Sequence, residues 1–115
     1  MESKELRQKL IEIFGQQIIF NKEFDSYASR LKEGMLSDLV EWCINCKEQR
    51  VDGSQPKREE YRHLFVFFRK IGSNVRATLI KVKNSDFIEI RLENHKCYDD
   101  TRIEFGYKKS SYYAS

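Results

Sequence analysis

The sequence predicts an α+β fold: N-terminal helices packed on one face of a curved, mainly antiparallel β-sheet. Two observations carry this. Apolar residues recur at helical spacing up to about residue 49, and after a loop rich in breakers the pattern changes to alternation. The alternating segments are short and separated by turn residues, the mark of an antiparallel meander. At 115 residues the chain has length for one compact domain, read here as 1–115, with an extra helix at 3–14 and a polar tail at 106–115.

Ser3 to Phe14 is the first helix, with Leu6, Leu10, Ile13 and Phe14 as its stripe and Gly15 as its stop. Gln17 to Phe20 reads as a short extended segment. Asn21 is then placed to cap a helix carrying Phe24, Tyr27, Ala28 and Leu31. Gly34 breaks that helix, and another runs from about Met35 to Gln49 on Leu36, Leu39, Val40 and Cys43. The two should form an antiparallel hairpin.

Val51 to Lys57 is a loop, since Asp52-Gly53-Ser54 and Pro56 all interrupt regular structure. Strands are expected over Tyr61–Arg69, Val75–Lys83 and Phe87–Leu92, with turns at Ile71–Asn74 and Asn84–Asp86. One sheet face should meet the helices and the other stay wet. Asp99 to Phe105 is expected to form a short helix ended by Gly106.

Charge is uneven. Residues 1–60 hold 10 Lys/Arg and 12 Asp/Glu, a balance of −2, whereas residues 61–115 hold 11 and 6, a balance of +5. From Tyr61 to Lys83 there is no acid. A basic half suits an anionic partner, either nucleic acid or an acidic protein; the plainer account is a solvated strand face. No run is apolar enough to span a membrane and the N-terminus is charged, so a cytoplasmic location with reduced thiols is expected.

Three groupings can carry chemistry. Arg62, Arg76 and Arg91, on three neighbouring strands, offer cations for phosphates, and the tail tyrosines offer rings for unstacked bases. His95-Lys96-Cys97-Tyr98 offers proton-transfer groups beside cations, as attack by a 2′-hydroxyl requires. Cys43-x-x-Cys46 with His95-x-Cys97 offers three thiolates and an imidazole to zinc, provided that the halves converge. Against zinc, Cys43 falls on a helical stripe, where a free cysteine is commonly just buried.

The run Ile19-Phe20-Asn21-Lys22-Glu23-Phe24 followed by Leu31, then Lys57, Tyr61-Arg62, Val75-Arg76 and His95 to Tyr98, resembles the RelE/ParE toxin superfamily over about residues 18–98. The resemblance rests on the order strand, two helices, meander, basic residues and tyrosine. It implies a toxin acting as a metal-independent, cofactor-free mRNA endoribonuclease, on the ribosome or on free mRNA, neutralised by an antitoxin protein. By position it assigns Arg62 and Arg76 to the phosphate, Lys96 or His95 to the basic group after the last strand, and Tyr98 to proton transfer. Lys57, Arg58, Arg69, Arg91 and Lys108 are the accompanying candidates for RNA contact. The sequence departs from the superfamily in its extra first helix, in Asn74 where a glycine is common, and in its longer tail. The alternative is a non-catalytic module on the same fold, binding nucleic acid or an acidic protein.

Overall fold

The structure, a computed structural model, describes residues 2–110. It is α+β, with four α-helices and a four-stranded mixed sheet among the described residues. Helix α1 spans Ser3–Phe14 and strand β1 spans Ile19–Phe20. Helices α2 (Phe24–Ala28) and α3 (Glu33–Lys47) follow, then a 3-10 turn at Glu59–Tyr61. The meander is β2 (Leu64–Lys70), β3 (Arg76–Val82) and β4 (Ile88–Glu93), and α4 (His95–Glu104) closes the described chain. No helix is long and apolar enough to cross a membrane.

The sheet order is β1-β4-β3-β2. Both meander pairings are antiparallel, while β1 runs parallel to β4 with Ile19 opposite Glu89. The parallel pairing follows from the chain path. The segment from β1 to β4 passes through both helices and the meander, and a crossover of that length permits parallel strands where a tight turn cannot.

The alternation along β3 sorts the molecule into two layers. Ala77 and Leu79 face a core with Leu6 and Leu10 of α1, Phe24 of α2, and Leu39 and Cys43 of α3; Ile90 and Leu92 join it from β4. Burying each of these larger aliphatic side chains stabilises the fold by about 1.5–3 kcal/mol before its entropy cost. Ile80 faces the other way, into a smaller core with Leu64, Val66 and Phe105. Thus the second face is not wet as the strand pattern suggested: α4 and the 3-10 turn cover it.

Several boundaries differ from expectation. Asn21 does not cap α2. Its side-chain amide donates to the Leu92 carbonyl (2.9 Å) and its side-chain oxygen accepts from the Leu92 amide (3.0 Å). The side chain thereby continues the β1–β4 ladder past the end of β1. Gly34 lies inside the first turn of α3 rather than breaking a helix. The helix paired with α3 is α1, and α2 packs on β4 instead of completing a hairpin with α3. The turns are as read: Asn84 holds φ 59°, a left-handed conformation that asparagine tolerates.

Candidate functional site: the face beneath α4

Helix α4 begins at His95, four residues before the expected start, because Asn94 caps it: the Asn94 Oδ1 accepts from the Cys97 amide at 2.8 Å. That start turns His95 to Tyr98 from a strand end into the helix's first turn. Tyr98 then points down onto the sheet, where its ring meets Phe68 edge to face at 5.5 Å. Tyr107 meets the same Phe68 at 5.4 Å, and the Arg102 guanidinium stands over it at 4.8 Å. Gly106, with φ 91°, turns the chain after α4 so that Tyr107 can do this.

The segment is also fastened at its far end. Ser110 gives both its amide (2.9 Å) and its hydroxyl (2.6 Å) to Asp99 Oδ1, and the Ser110 hydroxyl lies 3.0 Å from His95 Nε2. His95 Nε2 lies 3.2 Å from the other Asp99 oxygen. Partial burial works to raise the Asp99 pKa, but the Ser110 hydrogen bonds, with His95 and Arg102, outweigh it and hold the carboxyl below its usual range.

Beneath this cover lie two of the residues read as catalytic. Arg76 is 1% exposed and Tyr98 is 3% exposed. One Arg76 terminal nitrogen donates to the Gly72 carbonyl at 3.1 Å and lies 3.3 Å from that of Ser73, in the β2–β3 turn. Arg76 Nε and the Thr78 hydroxyl, two residues on along β3, are buried with no hydrogen-bond partner among the described residues. Burial pushes the Tyr98 phenol above its ordinary pKa, with Arg102 and Arg76 pulling weakly the other way. Glu93, opposite Arg76 in the β3–β4 register, is likewise raised by burial despite Arg91 and the Thr101 hydroxyl at 3.2 Å.

The other candidates divide. Arg62 is not on a strand; it follows the 3-10 turn and is exposed. Lys96 is 85% exposed and pairs with Asp100 at 3.3 Å, pointing away from the sheet. Arg91 is held by Glu89 at 2.6 Å, and Arg69 sits on the α3 side of the sheet, opposite Ala77. Lys57 and Arg58 are exposed and lie against Gly106 at the end of α4; Lys108 is exposed two residues further on, and Arg62 is exposed just after the 3-10 turn that follows Arg58. Lys57, Arg62 and Lys108 have no side-chain hydrogen bond or ion pair among the described residues. Of the acids near them, Glu60 lies 3.9 Å from Arg58 and Glu104 accepts from the Tyr61 hydroxyl at 2.9 Å.

The zinc grouping does not form. Cys43 and Cys46 are buried under α3 on one side of the sheet, while Cys97 is exposed on α4 on the other. Burial pushes both helical thiols up, that of Cys46 to about 12, which disfavours the thiolates that a metal needs. No group of three ligating side chains that could hold a metal occurs among the described residues.

The partnerless Arg76 Nε and Thr78 hydroxyl had no sequence signal, since both look like ordinary alternating strand residues. The cap at Asn94 did have one: a good N-cap residue immediately before His95. No protein family, curated protein or solved structure matches the chain.

Proposed function

We propose that the chain is a non-catalytic RNA-binding module built on the strand, two-helix and meander order that resembles the RelE/ParE superfamily. The carrying observation is that Arg76 and Tyr98, the pair on which cleavage would depend, are buried between α4 and the sheet, while Lys57, Arg58, Arg62 and Lys108 are exposed and the first two lie against the end of α4. A buried guanidinium spent on turn carbonyls holds a loop; it does not stabilise a phosphorane. Exposed cations suit phosphates. Such an interface reads RNA mainly through charge, so its affinity falls steeply as salt rises.

One observation favours a second reading, the toxin endoribonuclease with its antitoxin and ribosome. Arg76 Nε and the Thr78 hydroxyl, two residues apart on β3, are buried without partners among the described residues, and two such polar atoms cost about 1–3 kcal/mol each. A polar site closed by a removable α4 would account for that cost. Expression in a host cell separates the two readings. The module leaves growth unchanged, and the toxin arrests growth in a manner relieved by Arg76→Ala.

A further inference from the structure

On the opposite side of the sheet, a pocket of about 400 Å³ opens where the ends of α1 and α3, the 51–53 loop and the β3–β4 turn meet. We infer that it binds a small amphiphilic carboxylate. The volume lies within the roughly 300–1,000 Å³ typical of small-molecule sites. Its walls are Phe14, Val51, Phe67 and Ile88, and the loop lies flat on Phe67, with Gly53 so close that a β-carbon there would stand 2.8 Å from the ring. These surfaces accept an aliphatic or aromatic body.

The charges decide the head group. Lys81 is the half-buried one, rising from β3; its ammonium donates to the Val82 carbonyl at 3.1 Å and the Ser85 carbonyl at 2.9 Å. One of its three protons is left without a partner among the described residues. Asp52 and Asp86 also line the pocket, but both are exposed, where water and salt screen them. Lys47 is exposed as well and is spent on the Ile13 carbonyl. The least-screened charge is therefore positive and offers a single donor. That matches one carboxylate oxygen, whereas a phosphate dianion would need more donors.

The inference is independent of any RNA binding. Its test is an amide NMR titration of the full chain with 4-phenylbutyrate, compared with 4-phenylbutylamine and 4-phenylbutanol. Saturating shifts confined to residues near Val51–Gly53, Phe67, Lys81 and Ile88 are expected for the carboxylate, with the amine about tenfold weaker or more. Lys81→Met should remove the preference for carboxylate while leaving the alcohol's affinity unchanged; Lys81→Gln serves if the methionine variant does not fold. Non-saturating or scattered shifts, equal binding of the amine, or undiminished carboxylate binding by the folded Lys81 variant overturns it.

Discussion

Asn21 shows how one side chain can do the work of a strand residue. Its amide supplies a donor and an acceptor to the two backbone groups of Leu92 that β1 is too short to reach. Asn21→Ala leaves both part-buried groups unpaired, so urea unfolding should show a loss of about 1–3 kcal/mol. Asn21→Asp, which cannot donate, should recover little of it. A loss below about 0.5 kcal/mol for the alanine variant would mean that water replaces the amide at no cost. Glu93 gives the residue scale a pH signature. Burial raises its folded pKa, so the native state binds a proton that the unfolded state does not, between the ordinary glutamate range and that raised value. Stability from this group therefore falls as pH rises through the window. Thermal unfolding across pH 4–7 should show Glu93→Gln flattening that decline; an unaltered slope would refute the buried-carboxyl assignment. From sequence, neither role was legible: an asparagine before a helix reads as a cap, and an alternating glutamate reads as solvated.

Among the elements, α1 matched its expected span because an apolar stripe and a terminal glycine agree locally. Ser3, which reads as a cap in sequence, is instead its first residue: Glu2 holds the cap position and the Ser3 hydroxyl donates to Asp25. The three meander strands were legible for the same reason, each being bounded by strong turn residues. Helix α4 was half missed. Its stripe is weak, and what holds it is not periodicity but Tyr98 and Phe105 set against β2 and β3, followed by Tyr107. Its stability thus depends on few residues. Phe105→Ala should cost about 3–5 kcal/mol, and hydrogen exchange should show α4 amides opening well before those of α1 and α3. Uniform acceleration across all helices would show instead that α4 is an integral part of the main core.

At the scale of the molecule, the decisive feature is that the sheet is covered on both faces. The sequence could not reveal it, because Arg76 and Thr78 alternate in the same way whether their face is wet or roofed. Covering that face separates the charges into a buried group around Arg76 and an outward group around Lys57, Arg58, Arg62 and Lys108. Reversing Lys57, Arg62 and Lys108 to glutamate should abolish RNA binding with little change in thermal stability, since none of the three side chains has a hydrogen bond or ion pair among the described residues. Equal affinity of the triple variant would move the interface elsewhere.

The most direct measurement is incubation of the purified protein with end-labelled single-stranded RNA, alone and in a translating extract, reading bound fraction and new 5′ ends together. The sealed Arg76 and Tyr98 predict salt-sensitive binding with the RNA intact, unchanged by Arg76→Lys. New ends bearing 2′,3′-cyclic phosphate on the upstream fragment, lost in Arg76→Ala and Tyr98→Phe, would contradict it.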